Sequence, residues 1–282
     1  GTDTVWEFGA GSGALAVQLL HALDEMGRSD VRYRIVDLSG TLRERQQQAL
    51  VRYADRVEWL AELPEAMQGV VVGNEVLDAM PVQLLARVAG QWFERGVVRN
   101  AQGDGWTWAD RATELRPPLD IPGEHDYLTE VHPQAQAFIA TLADRLEKGA
   151  AFLIDYGFPE SEYYHPQRHM GTVMCHRAHQ ADGDPLADVG YKDITAHVDF
   201  TGIALAGQNA GLEVLGYTSQ ARFLLNCGLL SKMEQGTTAE RAMAARLIHE
   251  HEMGDLFKVV GFAVGEPWDA MGFAEGDRSH TL

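Results

Sequence analysis

The sequence predicts an α/β fold built on a mostly parallel, doubly wound sheet, and three observations carry that prediction. Short β-like runs alternate with amphipathic helical segments through the first 73 residues, a glycine-rich turn joins the first run to the first helix, and Gly69 to Gly73 is wholly apolar. Thr4 to Phe8 reads as a strand. Ala14 to Met26 follows as a helix with Ala16, Leu19, Leu20, Leu23 and Met26 on one face. Val31 to Leu38 is a second strand in which Val31, Tyr33 and Ile35 alternate with Arg32 and Arg34. Thr41 and Glu44 have capping-box spacing, which places a second helix at Thr41 to Tyr53. Val57 to Trp59 is a short strand, and Gly-Val-Val-Val-Gly at 69–73 is the kind buried on both faces of a parallel sheet.

Beyond residue 81 the pattern changes. Val82 to Trp108 is rich in β-formers and broken at Ala89-Gly90 and Gly103-Asp-Gly105, which predicts an inserted β-meander. Helical periodicity returns at Pro133 to Leu146 and is followed by a strand at Ala150 to Tyr156. Gly157 to Asp199 shows little regular pattern, and a loop of that length in a compact domain is usually functional or mobile. Thr201 to Ala210 reads as a helix, Leu224 to Ile248 as a mostly helical insertion, and Glu213 to Tyr217 and Phe257 to Val264 as closing strands. The expected organisation is a first half at 1–81, an inserted β-rich subdomain at 82–130, a second half at 131–265 containing the loop 157–199, and a tail at 266–282.

Composition narrows the function. Of 282 residues, 45% are hydrophobic and 23% charged, the balance of a compact chain. Lys and Arg number 23 against 41 Asp and Glu, a net charge of −18 that repels phosphate backbones and suits a basic protein target better than a nucleic acid. The longest stretch without Asp, Glu, Lys or Arg, Phe8 to Leu23, opens with glycines and contains Gln18 and His21, so it predicts no membrane span. Cys175 and Cys227 are too few for a disulfide framework and point to a reducing compartment. The sequence opens directly into its first strand without Met, which suggests that the natural N-terminus lies further upstream.

Two segments carry chemistry. Glu7-Phe-Gly9-Ala-Gly11-Ser-Gly13 allows a tight turn, close approach of a ligand to the backbone, and a helix N-terminus with unpaired N–H groups. Gly9-x-Gly11-x-x-Ala14 also satisfies the dinucleotide fingerprint. Glu7, two residues before the first glycine, is awkward beside a pyrophosphate and suits the cationic amino-acid end of S-adenosylmethionine. Asp37, at the end of the second strand, accepts from a ribose diol under either reading. In the second segment, Gly73-Asn74-Glu75-Val-Leu-Asp78-Ala-Met-Pro81 leaves a strand at the carboxyl edge of the sheet. If it turns helical, Glu75 and Asp78 share a face and can hold a guanidinium or ammonium group, and the Asn74 carbonyl can orient a neutral amine. The plainer alternative is that Asn74 and Asp78 cap the turn before Pro81.

These segments, with Val36-Asp-Leu-Ser39, Asp155-Tyr-Gly-Phe-Pro159 and Asp193-Ile-Thr-Ala-His-Val-Asp-Phe200, resemble in order the MidA-like family. That is the S-adenosylmethionine-dependent methyltransferase group that includes the mitochondrial complex I assembly factor, a protein-arginine methyltransferase. The resemblance spans nearly the whole chain. It implies a class I (Rossmann-like) methyltransferase fold with cofactor contacts from Glu7, Gly9, Gly11, Gly13, Asp37 and Leu38. It also implies that Ala61-Glu62 approaches the adenine, and Asn74-Glu75 the methyl group and target. Ala61 stands where an acidic residue is commoner in this fold.

The late loop holds His165, His169, Cys175, His176 and His179, without the paired spacing of zinc ligands, so no metal is expected. His197 and Asp199 share one face of an extended segment. His197 is a candidate proton acceptor beside Glu75, or else a core histidine bonded to Asp199 or Asp155. Tyr156 and Tyr164 are candidates to line an acceptor channel, or ordinary packing. The expected function is methyl transfer to an arginine nitrogen of a protein partner in bacterial cytoplasm or mitochondrial matrix. A small-molecule methyltransferase, a non-catalytic assembly or scaffold protein retaining the fold, and a nicotinamide oxidoreductase are the alternatives.

Overall fold

The computed structural model describes residues 2–37, 39–177 and 180–282; Leu38 and His179 lie outside the described residues. In chain order the strands and α-helices are β1 (Thr4–Phe8), α1 (Ala14–Glu25), β2 (Arg32–Val36), α2 (Gly40–Ala49), β3 (Val57–Leu60), β4 (Met67–Asn74), β5 (Gln83–Val88) and β6 (Gln91–Arg99). Next come β7 (Trp106–Ala112), β8 (Tyr127–Val131), α3 (Pro133–Arg145), β9 (Leu146–Phe158), α4 (Glu160–Tyr163), β10 (Met174–Arg177), β11 (Gln180–Asp182), β12 (Asp193–Thr195) and β13 (Val198–Asp199). The chain closes with α5 (Phe200–Asn209), β14 (Leu212–Ser219), α6 (Gln220–Asn226), α7 (Leu229–Gln235), α8 (Thr238–Ile248) and β15 (Phe257–Val264). It divides into two compact units, one of residues 1–76, 139–155 and 207–280, the other of 77–138, 156–206 and 281–282.

The first unit is a sheet of order β14-β15-β9-β4-β1-β2-β3. β1 runs parallel to β2 and β4, β2 to β3, and β4 to β9, while β14 and β15 form an antiparallel pair. Register fixes where a ligand can meet this sheet. Phe8 pairs with Val36 and Gly73, Val36 with Leu60, and Asn74 with Ile154. The residues that follow, Gly9, Asp37, Ala61 and Glu75, therefore leave the sheet along one carboxyl edge, where open α/β sheets bind ligands. α1 buries Ala16 and Leu20 against Tyr33, Ile35, Leu50 and Tyr53, all at 6% exposure or less. Each fully buried aliphatic side chain there stabilises the fold by about 1.5–3 kcal/mol. On the other flank, Phe273 stacks on Phe152 and packs against Phe223 and Val259.

The second unit carries a four-stranded antiparallel sheet, β7-β6-β5-β8, and a three-stranded one, β11-β10-β12. β5, β6 and β7 form the expected meander, and β8 adds to its far side. Ile121, Tyr127, Tyr163 and Tyr164 form its aromatic core with Trp92 and Phe158.

Three expectations need correction. The segment 157–199 is not patternless: it holds α4 and β10 to β13, strands of two to four residues whose pairing is too short to leave a periodic signature. α2 is not capped by Thr41 and Glu44. Its N-cap is Ser39, whose hydroxyl accepts from the Leu42 amide, so the helix begins at Gly40, ends at Ala49 and passes into a 3₁₀ turn at Val51–Tyr53. The segment after β4 is turns and bends rather than helix, so Glu75 and Asp78 do not share a helical face: Glu75 is exposed and Asp78 buried. Glu75 also belongs to the first unit and Asp78 to the second.

Candidate functional site

At the carboxyl edge of β1 the chain needs conformations that a side chain resists. Gly9, Gly11 and Gly13 have φ of 63°, 52° and 82°. Gly13 is the left-handed N-cap of α1, and no side chain caps that helix. A Cβ on Gly11 would meet nothing within 4 Å, so the turn faces open space on that side. The result is a strand–turn–helix with exposed backbone and an uncapped helix N-terminus, a ready acceptor of a polar ligand.

Glu7 stands on β1 just before this turn and is only 2% exposed. Its Oε2 accepts from the Tyr33 hydroxyl at 2.8 Å. Burial pushes its carboxyl up to about 7, opposed in part by the Tyr33 bond. A buried acid titrating near neutrality is a natural counter-charge for an incoming cation.

Asp37 follows β2 and is half-buried. Its Oδ1 accepts from the Ser39 amide at 2.8 Å, and its Oδ2 accepts from Nε2 of Gln46 at 2.7 Å. Gln46 lies on α2 with no exposed surface. The same Nε2 donates to the Gly11 carbonyl at 3.0 Å, and Oε1 of Gln46 accepts from the Trp59 indole at 3.1 Å. Sequence reasoning missed Gln46. In the run Gln46-Gln47-Gln48 only its place on the buried face of α2 sets it apart. Ala61 and Glu62 are exposed immediately after β3.

At the end of β4, Asn74 donates from Nδ2 to Oε1 of Glu75 at 3.0 Å, and the Glu75 amide donates to the Ile154 carbonyl at 2.9 Å. Glu75 has φ of 52°, one of three non-glycine residues with positive φ among the described residues. A residue held in this region costs of order 1–3 kcal/mol, and such strain gathers at functional sites.

The remaining candidates lie in the second unit. Asp78 is 4% exposed, and burial raises its carboxyl above the usual range despite the hydrogen bond donated by Tyr156. Its carbonyl accepts from the Ala196 amide at 3.0 Å. The His197 ring packs edge-on against Tyr156, with centroids 5.2 Å apart. The His197 amide donates to the Thr172 hydroxyl, and buried Glu130 takes the Thr172 hydroxyl and amide together with the Tyr163 hydroxyl. Asp78, Tyr156 and His197 thus form one cluster. Asp78 lines a cleft of about 450 Å³ walled by Met80, Val97, Trp108 and Ile194. Tyr164 and Asp199 are buried and bonded to each other at 3.3 Å, and burial pushes the Asp199 carboxyl up to about 6. They therefore present no open surface for an acceptor channel. A larger recess of about 640 Å³, lined by Thr4, Trp6, Arg34 and Gln68, lies at the amino-terminal edge of the first sheet, away from this chemistry. Among the described residues no cluster of His, Cys, Asp and Glu is arranged to hold a metal, and no helix is long and apolar enough to cross a membrane.

The parallel core β3-β2-β1-β4-β9, closed by the antiparallel pair β15 and β14, with a glycine turn and an acidic residue at the ends of its first two strands, defines a class I Rossmann-like methyltransferase fold. The family described as "Putative S-adenosyl-L-methionine-dependent methyltransferase" matches residues 2–218, and the chain belongs to it. A Burkholderia thailandensis protein crystallised with S-adenosylhomocysteine is 49% identical, with a TM-score of 0.92 over all of this chain and 76% of its own. The mitochondrial protein arginine methyltransferase NDUFAF7 homolog of Caenorhabditis elegans is 24% identical over 89% of this chain, and that of Drosophila melanogaster 26% over 81%. The chain spans 64% and 58% of the length of these two relatives. S-adenosylmethionine is the cofactor of the family, and the residues at the carboxyl edge fit it. The open space before Gly11, the acceptor Asp37 and the buried acid Glu7 match a backbone-hugging ligand with a ribose diol and a cationic amino-acid end.

Proposed function

We propose that this protein transfers a methyl group from S-adenosylmethionine to an arginine nitrogen of a basic protein partner. The observation that carries the acceptor half of this reading is Glu75, an exposed carboxylate held in a strained left-handed conformation at the ligand edge of the sheet and braced by Asn74. The net charge of −18 favours a basic partner, and the two mitochondrial relatives are named arginine methyltransferases.

The cofactor supplies a methyl group already activated on a sulfonium, so the chain's work is binding, orientation and exclusion of water. Gly9, Gly11 and Gly13 offer backbone at close range. Asp37 would accept from the ribose hydroxyls, Glu7 would offset the α-ammonium, and Ala61 and Glu62 would flank the adenine. Asn74 and Glu75 hold the guanidinium and turn one nitrogen toward the methyl group. Glu75 is also the candidate group to take the proton that the methylated nitrogen gives up, and in the second unit Tyr156 donates to Asp78 and packs against the His197 ring. Tyr164 and Asp199 brace each other in the interior of that unit. We place the protein in a reducing compartment, bacterial cytoplasm or mitochondrial matrix, on its two free cysteines and its relatives' names.

Incubation of the purified chain with S-adenosylmethionine carrying a labelled methyl group and a basic protein extract, followed by mass spectrometry of the products, tests the reading. Methylarginine that disappears in Glu75→Gln supports it. Label found only on lysine or on a small molecule overturns it.

A further inference from the structure

We propose that Gln46 is a positioning residue that sets the ribose-binding carboxylate of Asp37 and so makes the ribose diol a requirement for tight binding; this rests on the cofactor reading above. The assignment comes from how fully the Gln46 amide is used. Its two N–H groups go to the Gly11 carbonyl at 3.0 Å and to Oδ2 of Asp37 at 2.7 Å, and its oxygen takes the Trp59 indole N–H at 3.1 Å. The orientation of the amide is dictated by these partners. Flipped, its oxygen would face a carbonyl and a carboxylate while its NH₂ faced another N–H.

One buried side chain therefore joins the three parts that surround a nucleoside at this edge: the glycine turn, the acidic residue after β2, and β3, which leads into Ala61-Glu62. The carboxylate of Asp37 is held at both oxygens, by Ser39 and Gln46, and each oxygen keeps a lone pair for one hydroxyl. A carboxylate fixed in this way offers two acceptors to a vicinal diol without losing side-chain freedom on binding. Gln46 also packs under the turn, since a Cβ at Gly13 would meet Gln46 Cα at 3.3 Å. The nearby cation does not stand in for the amide: Arg43 donates to the Asp37 main-chain carbonyl.

The test compares calorimetric binding of S-adenosylhomocysteine with that of its 2′,3′-dideoxy counterpart, in the wild-type chain, Gln46→Met and Gln46→Glu. Methionine keeps the volume and removes all three bonds. Glutamate keeps an acceptor for Trp59 and removes both donors. In the wild type, loss of the diol should weaken binding by at least about thirtyfold, two bonds to a charged acceptor. In both variants S-adenosylhomocysteine should bind about tenfold or more weakly, and the penalty for removing the diol should shrink by at least about fivefold. A role confined to packing would weaken both ligands equally, and an unchanged diol penalty in a variant that still melts cooperatively overturns the proposal. A wild-type penalty below about threefold overturns it without any variant. Failure of the wild type to bind S-adenosylhomocysteine at all would refute the cofactor reading and the role of Gln46 with it.

Discussion

Replacing Glu7 by Gln should make this protein more stable and a poorer binder at the same time. Glu7 is almost wholly buried and its carboxyl titrates at about 7, against an ordinary value of 4.5. Between those values the folded chain retains a proton that the unfolded chain has lost, so stability falls as pH rises from about 4.5 to about 7 and is flat beyond. Each pH unit of displacement corresponds to about 1.4 kcal/mol, which gives about 3 kcal/mol of strain carried by the ionised acid above pH 7. Glutamine matches the acid in size, keeps an oxygen for the Tyr33 hydroxyl and never ionises. Glu7→Gln should therefore equal the wild type in stability near pH 4.5 and exceed it by about 3 kcal/mol at pH 8. Urea unfolding of the ligand-free proteins across this range measures the difference directly. The same substitution removes the counter-charge for the α-ammonium, so S-adenosylhomocysteine should bind at least about tenfold more weakly at pH 8. A wild-type protein whose advantage or deficit relative to Glu7→Gln does not change between pH 4.5 and 8 would refute the reasoning, as would a variant that is less stable at pH 8.

Three other substitutions probe separate links. Glu75→Gly relieves a φ of 52° and should stabilise the chain by about 1 kcal/mol in thermal unfolding while abolishing methyl transfer; an active Glu75→Gly would remove Glu75 from the mechanism. Gly11→Val puts a β-branched side chain into the open space of the turn at φ 52°, so it should eliminate cofactor binding at a stability cost of about 1–3 kcal/mol, and retained binding would move the ligand elsewhere. Tyr156→Phe takes the donor from buried Asp78, whose carboxyl should then hold its proton to still higher pH. An Asp78 carboxyl whose titration, followed by NMR, is unmoved in that variant would refute the role of the Tyr156 bond.

Much of the first unit was readable because its signals are local. Thr4–Phe8 is marked by its β-forming residues ending at the glycines, Ala14–Glu25 by its helical stripe, and Phe257–Val264 by a β-rich segment before Gly265. Gly9, Gly11 and Gly13 were legible because positive φ leaves few alternatives to glycine. What was not legible depended on turn geometry or on partners distant in sequence. Ser39 displaced Thr41 as the cap because the chain enters α2 through the turn that Asp37 makes with the Ser39 amide. Glu75 and Asp78 were parted by a turn whose geometry answers to the Ile154 carbonyl and the Ala196 amide. β10 to β12 pair across 174–195 with no strand longer than four residues. Gln46 is the sharpest case. Only its place on the buried face of α2 separates it from Gln47 and Gln48, and its role shows once Gly11, Asp37 and Trp59 are seen around it.

The central claim is that the carboxyl edge of this sheet is an S-adenosylmethionine site rather than a dinucleotide site, although Gly9-x-Gly11-x-x-Ala14 satisfies both patterns. Calorimetric titration of the purified chain with S-adenosylhomocysteine and, separately, with NAD decides between them. The account predicts saturable binding of S-adenosylhomocysteine, proton release near pH 7 as Glu7 ionises against the α-ammonium, and no heat from NAD. Saturable binding of NAD with no response to S-adenosylhomocysteine would contradict it.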